Sequence, residues 1–302
     1  MRRVLLTGAG GYIGRHAIKS LLARNFEVHA VSRQPQIEAA NVNWHTADLL
    51  QRDATAKLVE DVGATHLMHL AWVTEPGAYW QSPENERWLS ASQYLLRRFA
   101  ENGGEKALLC GTCAEYDLTD GDCIEGTTLL KADHPYTEAK LALRDSANLI
   151  ASQHDIAVAW ARVFFSFGPY EQRGRLVSEV IHALRHGNRA ACVDGHLLRD
   201  FMYVEDVADA MAATLDSGFS GDINIAHGEA TTIKGLVDKI AAKLNATGRV
   251  DYGVFARKPG DPDRITASTR RLNDDVKWRP RFELDTAIQR TIEWWQEHDP
   301  VD

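Results

Sequence analysis

Three side chains of this sequence, Thr112, Tyr136 and Lys140, could together move a proton while a hydride moves beside them. Tyr136 and Lys140 stand four apart behind His134-Pro135, where a helix is expected to start, and that spacing puts both on one face. A cation beside a phenol favours the phenolate, so Lys140 is expected to lower the pKa of Tyr136 from its usual value near ~10. The phenol could then exchange a proton near neutral pH. Thr112 lies just past the apolar run Ala107-Leu108-Leu109-Cys110, and its hydroxyl could bridge a substrate oxygen and the phenol. Singly these residues mean little. A tyrosine and a lysine at this spacing occur on many helices, and a strand-end threonine often bonds its own backbone. It is the set, in order, that points to catalysis.

A second constellation says what would deliver the hydride. Thr7-Gly8-Ala9-Gly10-Gly11-Tyr12-Ile13-Gly14 follows the apolar strand Val4-Leu5-Leu6 and leads into an amphipathic stretch. Gly8 allows a sharp turn, Gly11 lets the backbone approach a diphosphate, and Gly14 lets the new helix pack close to the sheet. The helix N-terminus offers N–H groups and a positive dipole end to the phosphates.

The elements that must hold these groups alternate. Strands are expected near 3–7, 27–32, 65–70, 106–111 and 157–164, and helices near 12–24, 51–60, 84–102 and 136–153. Alternation of this kind gives an α/β fold, a Rossmann-type doubly wound parallel sheet with its crevice at the C-terminal strand ends. Residues 166–302, punctuated by Gly168-Pro169, Gly195, Gly228 and Pro259-Gly260-Asp261-Pro262, suit a smaller, interleaved C-terminal substrate-binding lobe. Residues 1–165 form the dinucleotide-binding domain, with returning segments near 199–225.

The 302 residues carry a net charge of −8, with scattered basic residues, which argues against nucleic acid and anionic membrane partners. No apolar run approaches membrane-spanning length. Cys110, Cys113, Cys123 and Cys192 form no metal spacing with the histidines, so no metal is expected, and free thiols suit a reducing cytoplasm. Cys110-x-x-Cys113 straddles a strand end rather than opening a helix, a poor redox arrangement.

With these motifs in place, the sequence resembles an extended short-chain dehydrogenase/reductase of the nucleotide-sugar epimerase/dehydratase/reductase type. The segments that carry the resemblance include Thr7 to Gly14, Asp48-Leu49, His69-Leu70-Ala71, Thr112 to Tyr116, Pro135-Tyr136-x-x-x-Lys140, Arg162-Val163-Phe164, Arg199 to Val207 and Pro259-Gly260-Asp261. The resemblance implies that Tyr136 is the acid/base, that Lys140 holds the nicotinamide ribose, and that Thr112 completes the triad. It implies that Asp48 and Leu49 flank the adenine and that Ala71 lies along the cofactor, with Tyr12, Ile13 and Leu70 in the same cofactor-binding set. Arg199 matches a diphosphate-binding arginine. Lys258, with Arg257 beside it, stands where a second is usual, and Trp72 is a further candidate for the substrate side.

Departures from the family pattern narrow the chemistry. Dehydratases place an Asp-Glu pair after the triad threonine, where this chain has Cys113-Ala114; Glu115, a step further on, is expected to point to the other side. Phe165 replaces a substrate-contacting asparagine. After the second strand, an NAD-selective site offers an acid to the ribose 2′-hydroxyl, whereas this chain has Ser32-Arg33, with Glu38 the nearest acid. Serine and a bidentate arginine suit a 2′-phosphate, so NADP(H) is expected over NAD(H). The leading expectation is NADPH-dependent reduction of a 4-keto nucleotide sugar. The alternatives are a nucleotide-sugar 4-epimerase with retained cofactor and a non-catalytic dinucleotide-binding redox sensor. A homodimer through a four-helix bundle of the helices near 84–102 and 136–153 is also expected, with Leu89, Tyr94, Leu95, Leu141, Ala147 and Ile150 supplying apolar positions.

Overall fold

The computed structural model describes residues 2–34, 41–257 and 260–299. Five parallel strands, β1 (Arg3–Thr7), β2 (Glu27–Ser32), β3 (Val42–Thr46), β4 (His66–His69) and β5 (Lys106–Thr112), are joined by Ala157–Val163 and Gly221–Ile225. Their spatial order is Gly221–Ile225, Ala157–Val163, β5, β4, β1, β2, β3. The direction of winding reverses between β1 and β4, and a parallel sheet of this order opens its ligand crevice there.

Each strand buries alternate side chains on opposite faces. Val4, Leu6, Val28, Ala30, Met68, Leu108, Ala159 and Ile223 form one core with helix α1 (Tyr12–Leu22) and the later helix Val204–Asp216. Leu5, Val31, Leu67, Ala107, Leu109, Val158 and Trp160 form the other with α2 (Arg52–Val62), α3 (Glu84–Glu101) and α4 (Pro135–His154). Fully burying a Leu or Met of this kind contributes about 1.5–3 kcal/mol. Leu95, Ala147 and Ile150 belong to this second core, so they cover their own sheet and are not available to a second copy. Leu89, Tyr94 and Leu141 are half-buried.

Local signals set the ends of the elements. Pro135 opens α4, and the Thr137 hydroxyl donates to the His134 carbonyl at 3.0 Å. α2 stops at Gly63 (φ 54°) and α4 at Asp155 (φ 54°), both left-handed. Lys106 Nζ donates to the Thr214 carbonyl at 2.9 Å and to the Ser217 carbonyl, placing a cation at the C-terminal end of Val204–Asp216. The polar edge strand β3 was not expected from the sequence.

The remaining chain forms a second lobe around α5 (Leu176–Arg185), α7 (Ile233–Lys243) and α8 (Leu284–His298), cored by Val177, Ile181, Leu236, Ile240, Ile288 and Trp295, while α6 (Val204–Asp216) returns to the first core. The lobes interlock. Asp122–Cys123, from the first half, pairs with Arg264–Ala267, which pairs in turn with Leu198–Arg199. Among the described residues no helix is long and apolar enough to cross a membrane.

Asp200 fixes this junction. Wholly buried, it accepts hydrogen bonds from the backbone N–H groups of His227 at 2.9 Å, Gly228 at 3.0 Å and Ala267 at 3.2 Å. Asp200→Ala leaves three buried donors without their acceptor, at about 1–3 kcal/mol each. A loss of roughly 3 kcal/mol or more is expected from the urea midpoint; a loss below ~1 kcal/mol would show that the junction is held elsewhere.

Candidate active site

The glycine turn closes the site from below. Gly8 has φ +69°, and a Cβ there would lie 2.8 Å from the Ala71 backbone nitrogen. That contact brings the ends of β1 and β4 together. A Cβ on Gly14 would lie 2.1 Å from the Gly8 carbonyl oxygen. Gly14 therefore lets α1 pack against the turn itself, where the sequence suggested the sheet. Gly11 caps α1 with no side-chain hydrogen bond, so the first N–H groups of the helix face outward uncapped. A cradle this narrow, at a helix N-terminus, fits a dinucleotide diphosphate. Tyr12 and Ile13 open α1. Asp48 accepts from the Leu50 N–H at 3.1 Å, holding Leu49 buried at the turn before α2. Ser32 ends β2 half-buried and Arg33 is exposed beside it.

A buried relay sits under the turn. Thr7 Oγ1 accepts from the N–H groups of Leu70 (3.2 Å) and Ala71 (3.3 Å), which leaves its proton for His69 Nδ1 at 2.7 Å. His69 Nε2 then carries the proton directed to Ser92 Oγ at 2.8 Å. Burial first, and then the charge of Lys140, push the His69 pKa down to about 3, so the ring is neutral in this role.

Tyr136 and Lys140 come from the first two turns of α4, and Thr112 from the end of β5. Lys140 Nζ donates to the Cys110 carbonyl at 2.9 Å and lies 3.7 Å from the centre of the Trp72 ring. Trp72 in turn donates its indole N–H to Asn85 Oδ1 at 2.9 Å. The structure thus places Trp72 as the platform of Lys140. Burial pulls the Lys140 pKa down to about 8.

The expected lowering of the Tyr136 pKa is not found. Burial raises it well above the ordinary value, Cys110, Tyr79 and Glu115 add to the rise, and only the hydrogen bond with Thr112 acts the other way. Lys140 lies 5.8 Å from the phenol ring centre and is held there by its hydrogen bond to the Cys110 carbonyl, so desolvation wins.

Glu115 sits at the end of a 3₁₀ turn (Cys113–Glu115), not on an extended strand, and faces the protein interior. Completely buried, it accepts from the Thr112 N–H (2.8 Å), Trp160 Nε1 (2.8 Å) and Arg162 Nε (2.7 Å). Cys113 and Cys110 are free thiols whose pKa values burial raises, that of Cys113 to about 12, which removes the thiolate a redox role needs.

On the far side, Arg199 is buried and donates to Asp261 Oδ1 at 2.8 Å and to the Leu198 carbonyl at 2.8 Å. Its guanidinium lies 5.7 Å from the centre of Phe165. Arg257 donates to the Asp261 carbonyl and pairs with Asp263 at 2.6 Å. Lys258 and Glu38 lie outside the described residues.

The sequence reading missed an aromatic wall around the phenol. Tyr79 stands edge-on to Tyr136 at 4.9 Å and Trp80 at 5.7 Å, while Arg175 lies 5.7 Å from the centre of Tyr79. Asn85 Nδ2 donates to the carbonyls of Tyr79 (2.7 Å) and Ser82 (2.9 Å), tying this strap to the start of α3. The density of aromatic residues in Tyr79-Trp80 was the available signal.

Comparison with known proteins agrees with this geometry. Residues 4–226 match the model of the NAD dependent epimerase/dehydratase family. The UDP-glucose 4-epimerase of Cyamopsis tetragonoloba is 24% identical, covering 96% of this chain and 94% of its own. UDP-glucuronic acid decarboxylase 1 of Xenopus tropicalis is 23% identical over 98% of this chain and 72% of its own. Among solved structures, MoeE5 in complex with UDP-glucuronic acid and NAD is 26% identical, with a TM-score of 0.85 over 98% of this chain and 99% of that one. The UDP-glucose 4-epimerase of Thermus thermophilus in complex with NAD shares the fold, at 23% identity and a TM-score of 0.85 over 97% of this chain and 99% of that one. On the length of the family match, the glycine cradle and the Thr112, Tyr136 and Lys140 set, the chain belongs to the NAD-dependent epimerase/dehydratase family.

Proposed function

We propose that the protein is a nucleotide-sugar 4-epimerase that retains its dinucleotide, with a UDP-hexose as its first candidate substrate. The observation that carries this reading is the complete Thr112, Tyr136 and Lys140 set with no carboxylate pair beside it. Cys113 and Ala114 occupy the positions where dehydration needs acids, and Glu115 is committed to Arg162 and Trp160. The UDP-sugar 4-epimerases among the relatives support it, and they move the net reduction expected from the sequence to second place.

A bound dinucleotide supplies reversible hydride acceptance at the sugar carbon. The residues of this chain do the rest. Tyr136 takes the proton of the sugar hydroxyl in one direction and returns it in the other; inversion requires only that the keto sugar turn its opposite face to the dinucleotide in between, with no further catalytic residue. Thr112 holds the same oxygen, and Lys140, anchored on Trp72 and the Cys110 carbonyl, keeps a cation beside the phenol. Tyr79 and Trp80 offer ring faces and edges for the apolar side of the sugar. Arg199, with Arg257 near it, neutralises the diphosphate.

Tyr136→Phe removes the proton carrier without touching the cradle. Turnover is expected to fall by roughly 10²–10⁴-fold with dinucleotide affinity nearly unchanged; a variant that keeps most of its activity removes Tyr136 from the acid/base role. Arg199→Lys keeps the charge and loses the planar fork, so the Michaelis constant should rise by about tenfold. An unchanged constant for every active nucleotide sugar moves the diphosphate elsewhere.

One observation favours the second reading, an NADPH-dependent 4-ketoreductase. β2 ends in Ser32 and an exposed Arg33, chemistry suited to a 2′-phosphate, whereas the homologous structures hold NAD. The decisive measurement is turnover by the purified protein without added cofactor. Interconversion of UDP-hexoses with no net oxidation of reduced cofactor upholds the epimerase. Stoichiometric consumption of NADPH, with weaker NADPH binding in Arg33→Ala, establishes the reductase in its place.

A further inference from the structure

The second lobe carries a cluster that the chemistry above leaves unused. His182 lies in the last turn of α5 and His186, four residues on, caps its C-terminal end, which brings their imidazoles together with ring centres 4.1 Å apart. The fold brings Asp299, at the C-terminal end of α8, against them. One ligand atom from each of the three residues lies within 4.8 Å of the other two. We propose that His182, His186 and Asp299 form a site for a divalent transition-metal ion of the zinc type, clipping the end of α8 to α5.

The donor set is that of borderline-soft ions. Two imidazoles and a carboxylate bind Zn²⁺ in tetrahedral sites whose fourth position is water. Hydrogen bonding already orients one ring for this. The His186 Nδ1 lies 2.9 Å from the His182 carbonyl, an acceptor only, so Nδ1 carries the proton and the Nε2 lone pair is left for the metal. Asp299 sits 2.8 Å from His182 Nδ1, so its carboxylate already stands beside the imidazoles. The competing cation is Arg185. It is drawn off to the Trp295 carbonyl at 2.6 Å and reaches Asp299 Oδ2 only at 3.5 Å.

The site lacks the general base of a hydrolytic helix motif. Metalloprotease helices with two histidines at this spacing carry a glutamate directly after the first, as general base. Here that position is Ala183. The acid that completes the set comes from far along the chain, which is why cysteine and histidine spacing gave no sign of it. The consequence of occupancy is mechanical: the end of α8, which stacks His298 on Trp294 at 4.4 Å and touches Tyr170, becomes fixed to α5.

The test uses the untagged full chain titrated with Co²⁺ in a spectrophotometer and with Zn²⁺ in a calorimeter. One equivalent should bind, with the visible bands of tetrahedral cobalt and no thiolate charge-transfer band, and Zn²⁺ should raise the melting temperature. His186→Ala and Asp299→Asn, checked to melt like the parent without metal, should each weaken binding by at least about tenfold, the cost of losing even an outer-sphere partner. The proposal is overturned by a dissociation constant weaker than ~0.1 mM for both ions. It is overturned equally by binding that survives both substitutions, or by a thiolate band placing the ion on the cysteines.

Discussion

The contact on which the site depends is the buried ion pair between Glu115 and Arg162. Both side chains are fully shielded from solvent, 2.7 Å apart. Glu115 also takes the Thr112 N–H, so the pair fixes the backbone that presents the Thr112 hydroxyl proposed for catalysis. Arg162 continues the chain of contacts to the Tyr116 hydroxyl at 3.4 Å and to Asp222 at 3.1 Å, while Tyr116 donates to Asn224 at 2.8 Å. Asn224 takes its own backbone support from Glu125 at 2.8 Å. The C-terminal ends of β5, Ala157–Val163 and Gly221–Ile225 are thus laced together beneath the substrate side. Such a pair recovers its desolvation only when both partners are present, and breaking one costs about 3–5 kcal/mol. Gly111 follows from the same constraint: a Cβ there would lie 2.4 Å from Trp160 Nε1 and 2.8 Å from Glu115 Oε1.

The electrostatics above this floor set burial against charge. Lys140 is desolvated enough to bring its pKa to about 8, and it stands 5.8 Å from the ring of a phenol that burial drives the other way. Its partners explain the standoff. The Trp72 face and the Cys110 carbonyl hold the ammonium in place at the expense of its approach to Tyr136. A carbonyl and a ring face are also weaker partners than a carboxylate, so the charge stays available to a hydroxyl brought between the two residues. Burial, with the same charge adding to it, keeps His69 neutral underneath, which lets the Thr7, His69 and Ser92 relay act as a rigid hydrogen-bonded brace with no counter-charge of its own.

The parts of this arrangement legible in the sequence are those written locally. Strands buried on both faces, such as His66–His69 and Lys106–Thr112, read as near-continuous apolar runs, and the glycine turn between β1 and α1 declares itself by spacing. β3, Val-Asn-Trp-His-Thr, did not, because an edge strand half in solvent carries polar residues and no clean period. The trio of Thr112, Tyr136 and Lys140 was legible from its order, but the raised pKa of the phenol was not, since it depends on tertiary burial to which the strap of Tyr79 and Trp80 contributes. Glu115 and Arg162 were both visible as residues. Their pairing was not, because it joins a turn to a strand across the sheet.

At the junction of the lobes, stability and recognition are divided between adjacent residues. Leu198–Arg199 and Phe201–Tyr203 flank Asp200, whose carboxylate faces the backbones of His227, Gly228 and Ala267 and has no freedom to do anything else. Arg199 points the opposite way, toward Asp261 and the Phe165 ring. A guanidinium held at 2.8 Å by one carboxylate, with burial pulling its pKa down against that partner, is poised to exchange a neighbour for an incoming anion. That exchange is specific only if the strand beneath it does not move. The acid that anchors the strand and the base proposed to meet a diphosphate are consecutive because a strand sends alternate side chains to opposite faces, so a single extended segment both fixes the lobe and aims its charge.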